Sequence, residues 1–321
     1  MDVLITFDVE IWCNSWEELD ERFPDAYQRY VYGSSRKGNF ALPHILGTLN
    51  RYGLKAVFFV EPMFSGRFGL EYLAIIVRML NASGQEVQLH LHPEWTDEIT
   101  PSPLEGDHGK RQHLAYYSQQ EQTRLIRYGI ETLRQAGAVG ISAFRAGNFA
   151  ANRDTFTALR ENGISQDSSV DATVDISVQD LRGSIELYRP SIVGGVDEYP
   201  MSVFVDGFGR QRHAQFGACS AREMIDAIEN AKAAGWSHFV ILGHNFELLR
   251  PGSNEPDAIV VDRFEKVCAY LANNADDAPT KGFNTLSKVQ ARKERHALLP
   301  RAHFASTVRR HSEQLLRRLQ G

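Results

Sequence analysis

His90 and His92 lie two residues apart at the end of an apolar run, and Glu94 follows them directly. On an extended strand, residues i and i+2 project to one face, so both imidazoles would meet the same space. Two imidazoles with a carboxylate nearby suit zinc or a similar divalent ion. Asp8 and Glu10 repeat the spacing with carboxylates at the end of another apolar run. One of them could bind a metal while the other takes a proton from water. Arg145 lies near the end of a third run, just before Ala146-Gly147. A guanidinium there can grip a carboxylate through two hydrogen bonds and keep it ionised. His244 stands one glycine beyond a fourth run and could give a proton to a leaving amine. Singly, each has a plainer reading: ordinary histidines, a solvated or capping acid pair, a structural ion pair, a packed ring.

These residues recur where strands should end. Short apolar runs at 3–8, 55–60, 86–91, 141–144 and 238–242 have the composition of buried parallel strands. Helical spacing fills 42–51, 70–80, 153–161, 222–234 and 256–273. Ser118 and Glu121 approximate a capping box at the head of another long helix. Between 185 and 205, Pro190, Gly194, Gly195 and Pro200 break the chain into short strand-like pieces. Alternating strands and helices predict an α/β fold, and a mostly parallel sheet over about 280 residues fits one barrel better than two lobes. The expected division is a barrel over 1–290 and a basic helical tail over 291–321. Polar residues at strand C-termini are where such barrels build active sites.

Composition is that of a globular protein, 43% hydrophobic and 23% charged. No apolar stretch approaches the roughly 18 residues needed to span a bilayer. The N-terminus enters a strand pattern without a signal-like segment, from which a cytoplasmic location is expected. Cys13, Cys219 and Cys268 are odd in number and widely spaced, so reduced thiols are expected rather than a disulfide framework or a cysteine zinc site. The net charge of −5 is unevenly spread: residues 281–321 hold ten Lys/Arg against two Asp/Glu. That basic end reads as a solvated helix covering the body, or as a peripheral contact with anionic membrane. P-loop, dinucleotide-fold and nucleophile-elbow motifs are absent, as is the aromatic basic sheet of an RNA binder, so no nucleic-acid partner is expected.

In this order the motifs resemble those of the polysaccharide deacetylases, carbohydrate esterase family 4. Thr6-Phe7-Asp8-Val9-Glu10 is similar to the family's Thr-Phe-Asp-Asp opening. Ala56-Val57-Phe58-Phe59-Val60 resembles its second strand, and the stretch from Gly84 to His90 resembles the approach to its metal histidines. Phe144-Arg145-Ala146 with Gln166 to Val170 resembles the third motif, and Val240 to His244 the last. Thr285-Leu286-Ser287 resembles the closing strand, so the likeness runs from about residue 3 to 290. His-Leu-His-Pro-x-Trp further resembles a branch found in lipopolysaccharide and exopolysaccharide biosynthesis.

The resemblance implies a distorted (β/α) barrel of about seven strands holding a divalent metal, zinc first. It makes Asp8 the general base, Arg145 its support and His244 the general acid. Glu10 and His90 become metal ligands. The family's second histidine lies four residues after the first; here Glu94 occupies that position and His92 precedes it, so His92, Glu94 or both complete the set. Asp167, Asp171 and Glu198 are candidates for the group that tunes His244. Trp95 either stacks on a sugar or packs inside, and Asn148 is a second candidate for substrate contact. The polar loop 96–113, with His108 and His113, could shape access. The implied substrate is an N-acylated sugar, nucleotide- or lipid-linked given the expected location. Two other readings keep the fold: a metal-free hydrolase of cyclic amides or ureides, and an inactive saccharide-binding barrel.

Overall fold

The computed structural model describes residues 1–106, 109–175, 181, 187–289 and 298–320. In chain order the strands are β1 (Asp2–Val9), β2 (Ser34–Ser35), β3 (Gly38–Asn39), β4 (Ala56–Val60), β5 (Glu86–Leu91) and β6 (Ala143–Ala146), then β7 (Gln166–Asp167), β8 (Ser191–Val193), β9 (Val196–Glu198), β10 (Val203–Val205), β11 (Gln211–His213) and β12 (His238–His244). The helices are α1 (Leu19–Tyr27), α2 (Leu42–Arg51), α3 (Ser65–Phe68), α4 (Leu70–Ala82), α5 (Gln119–Gln135), α6 (Arg153–Glu161), α7 (Ala221–Ala233), α8 (Ala258–Asn273) and α9 (Phe304–Gln320). The chain forms two compact units.

The first unit comprises Met1–Ala56, Val203–Thr280 and Leu298–Gly321. Its centre is a parallel pair, β1 on β12, in register from Asp2 opposite His238 to Asp8 opposite His244. Seven of the eight residues of β1 are buried, the continuous apolar pattern of a strand covered on both faces. On α2 the helical stripe Leu42, Ile45, Leu46 and Leu49 turns inward, and α8 buries Val260, Phe264, Val267 and Leu271. Phe7 stacks on Phe216 and meets Phe264 edge-on, each at 5.8 Å between ring centres. Gly243 makes this packing possible, since a Cβ there would come within 2.6 Å of the Phe7 ring. Cys13, Cys219 and Cys268 are all buried. The basic C-terminal segment contributes α9, which packs in this unit through Arg310, 2.8 Å from Asp206.

The second unit comprises Val57–Ser202 and Lys281–Ala297. Strands β4, β5, β6, β7 and β9 follow one another in parallel, and β8 closes the edge antiparallel to β9. The register sets His90 beside Arg145 and Asp167 beside Glu198. Ser118 and Glu121 form the complete capping box of α5. Among the described residues seven strands have a parallel neighbour, in agreement with the expected α/β fold of about seven parallel strands. Most expected elements are found within two residues of their ends. The strand expected at 141–144 runs Ala143–Ala146, which puts Arg145 inside it rather than after it. The helix α1 and the hairpin β2–β3 come in addition.

Candidate functional site

In the first unit the end of β1 carries the acids and the end of β12 carries the histidine, side by side through the parallel register. One carboxylate oxygen of Asp8, one of Glu10 and one ring nitrogen of His244 lie within 4.8 Å of one another. Asn245 fixes the backbone between them. Its Oδ1 accepts from Glu10 N at 3.1 Å, and its Nδ2 donates to Glu10 O at 3.0 Å and to Tyr30 O at 2.6 Å. Trp12 Nε1 donates to Glu10 Oε2 at 2.7 Å, orienting that carboxylate. His244 Nδ1 pairs with Glu247 Oε1 at 2.7 Å, while Gln215 and the Gly217 N–H also donate to Glu247. Burial pulls the His244 pKa down, but the Glu247 hydrogen bond and charge, then Glu10 and Asp8, outweigh it and raise the pKa to about 9. The ring is therefore a cation at neutral pH, with 22% of its side chain exposed.

In the second unit His90 and His92 are both buried, with ring centres 4.8 Å apart. Each has its Nδ1 committed: His90 at 2.8 Å from Arg145 O, His92 at 3.3 Å from Glu94 Oε1. Such partners select the tautomer in which Nε2 carries the coordinating lone pair. Glu94 Oε2 is buried without a hydrogen-bond partner. Gly147 lets the His92 ring lie against the backbone, because a Cβ there would meet ring atoms at 2.7 Å. Glu61, buried at the end of β4, accepts from Met63 N at 2.7 Å and Phe64 N at 3.4 Å. Burial pushes its pKa up to about 8, against the lowering effects of Met63 N–H and His92.

Arg145 is fully buried, with Nε 3.0 Å from Ser168 O, Nη2 3.0 Å from Ser168 Oγ and its guanidinium over the Phe59 ring at 4.3 Å. Beside it Asp167 and Glu198 form a buried acid pair, in which burial and then the Asp167 charge drive Glu198 upward. Asp167 is held by Ser169 N and Oγ at 2.9 and 2.8 Å, and Asp171 closes a local turn with Thr173. The carboxylate on His244 Nδ1 is thus Glu247, a correction to the three candidates drawn from the sequence. Of the two readings left open for Trp95, packing is the one seen: it is 1% exposed and edge-on to Phe68. Asn148 is exposed with φ 55°, a left-handed conformation of the kind held at functional turns. His113 is half-buried near the charges of Glu94 and His92, whereas His108 lies outside the described residues.

Glu61 and Glu247 were not anticipated. Glu61 had a signal, since it ends a buried strand as Asp8 does. Glu247 had none, because a turn rather than a strand or helix period brings it back to His244.

No protein-family profile matches the chain. No curated protein matches it either. Solved structures do. A protein of Mycobacterium smegmatis described as a polysaccharide deacetylase matches at TM-score 0.51 and 19% identity, over 91% of this chain and 94% of that one. The family 4 carbohydrate esterase of Streptomyces lividans, solved with acetate, matches at 0.45 and 14%, over 93% and 97%. The 4-alpha-glucanotransferase of Thermococcus litoralis matches at 0.56 and 12%, over 95% of this chain and 42% of that one. Enzymes of different chemistry share this architecture, so function must be argued from the residues. The chain has the α/β fold seen in polysaccharide deacetylases.

Proposed function

We propose that the protein is a metal-dependent hydrolase that removes an N-acyl group, acetyl first, from a sugar. The observation that carries this reading is the His244–Glu247 dyad beside Asp8 and Glu10. It keeps an imidazolium next to two carboxylates, an acid and bases together, which a saccharide-binding surface does not need. Glu10, His90 and His92 are proposed as the metal ligands. A carboxylate and two imidazoles with their Nδ1 atoms already held are a donor set that fits zinc. Glu94 supports His92 from behind in this reading and is not itself a ligand.

When bound, the ion lowers the pKa of a water molecule toward neutrality and polarises the acyl oxygen. Asp8 accepts the proton of the attacking water on its carboxylate. Arg145, held by Ser168, is the supporting guanidinium in this reading. His244 delivers its Nε2 proton to the amine nitrogen as the C–N bond breaks, and Glu247 holds the ring by Nδ1 throughout. Asn148, exposed on its turn, contacts the sugar. The preferred substrate is a nucleotide- or lipid-linked N-acetyl sugar of surface polysaccharide synthesis, met in the cytoplasm or at the inner membrane face.

The test is release of acetate and free amine from N-acetylglucosamine oligomers and UDP-N-acetylglucosamine, with zinc, cobalt or nickel added. Wild type should release both, and His244→Ala should be slower by about 10²–10⁴. Cyclic ureide opening without metal, and no amine from any N-acetyl sugar, would overturn the reading.

A further inference from the structure

The helix α9 packs with its polar side and leaves its apolar side outward. Against its unit lie Ser306, Thr307, Arg310, Glu313 and Arg317. Arg310, 3% exposed, donates to Asp206 at 2.8 Å and to Glu223 at 3.0 Å. Thr307 Oγ1 donates to Glu223 at 2.8 Å and Ser306 Oγ to Asp226 at 2.6 Å. Arg263 reaches Glu313 at 2.8 Å and Arg317 reaches Asp257 at 2.6 Å. With 3.6 residues per turn these positions share one side, and Phe304, Val308, Leu315 and Leu319 fall on the other. Phe304 is 64% exposed, Leu315 59% and Leu319 75%. Exposed Phe208 extends the stripe, its ring 5.5 Å from Phe304 and 5.3 Å from His311. A surface helix ordinarily turns such a stripe inward, and a contiguous outward one marks an interaction surface.

The charges around the stripe select the partner. Arg318 and His311 sit on its edge, Arg309 on its opposite flank and exposed Arg210 beside Phe208. The sole acidic residue from 298 to 320, Glu313, faces the unit and is engaged by Arg263 and Arg309. A second copy laid face to face would oppose like charges and bury His311 and Arg318 in its seam. An anionic lipid surface would take the apolar side chains among its headgroups and neutralise the arginines. None of the described helices is long and apolar enough to cross a membrane, so such contact is peripheral.

We propose that the outward side of α9, with Phe208, is a docking face for anionic membrane. This builds on the lipid-linked version of the proposed function, yet its test reads binding and not deacetylation, so either can fail alone. The full chain is sedimented with phosphatidylcholine vesicles and with vesicles containing one quarter phosphatidylglycerol, for wild type and for Leu315→Glu/Leu319→Glu. Both leucines are exposed, so the double variant should keep the fold, checked by circular dichroism. Wild type should bind the anionic vesicles at least tenfold better than the neutral ones. It should release as salt rises, and the double variant should lose binding at least tenfold. No binding to anionic vesicles, or equal binding by the double variant, overturns the proposal. So does a wild-type dimer that the double variant dissolves while vesicles bind neither protein.

Discussion

Glu247 holds His244 by one nitrogen and leaves the other to work. A histidine whose folded pKa is raised contributes stability that is complete below the unfolded value near 6.5 and is lost as pH rises through about 9. The same shift makes the ring a proton donor across neutral pH. Glu247→Gln should move the His244 titration down toward the ordinary value, followed by NMR of the ring, with the alkaline limb of activity falling alongside it. An unmoved titration would show that Glu247 does not set the charge. Glu61 behaves in the opposite sense. A carboxyl raised to about 8 from 4.5 costs nothing below pH 4.5 and progressively destabilises the fold as pH rises through 8. In metal-free protein, Glu61→Gln should flatten the fall in urea stability between pH 5 and pH 8, raising it at pH 8 by a few kcal/mol. A parallel pH dependence in both proteins would contradict the buried-acid account.

At the scale of elements, the strand ends carry the chemistry and small residues set the approach. Gly147 follows β6 and makes room for the His92 ring. Gly147→Ala should displace that ring and weaken zinc binding about 10–100-fold, the usual effect of disturbing a ligand's support. Competition with a chromogenic chelator measures it, and unchanged affinity would remove His92 from the ligand set. This layer was largely legible in the sequence, because apolar runs and helical spacing report burial directly. Leu42–Arg51, Glu86–Leu91 and Arg153–Glu161 follow such patterns end to end. The limits are also physical. Arg145 fell outside its expected strand because a charged residue ends an apolar run, although its charge is buried against Ser168. Glu247 was invisible because turn geometry carries no period. Trp95 left open whether its ring packs or stacks, and only burial decides that.

At the scale of the molecule, the C-terminal helix is tied down by charge rather than by grease. Sequence reveals its apolar stripe but not which side the fold covers. Arg310 bridges two buried acids, Asp206 and Glu223, so Arg310→Ala would leave both uncompensated. Breaking a buried pair from one side costs about 3–5 kcal/mol, and that loss is expected in urea unfolding. A loss under 1 kcal/mol would mean the helix is dispensable to its unit. The central claim concerns metal. Elemental analysis of protein purified without chelator or affinity tag, for wild type and His90→Ala together, tests it most directly. The account expects about one zinc, cobalt, nickel or iron per wild-type chain, lost in the variant. No metal in either protein, even after soaking with zinc, would contradict it.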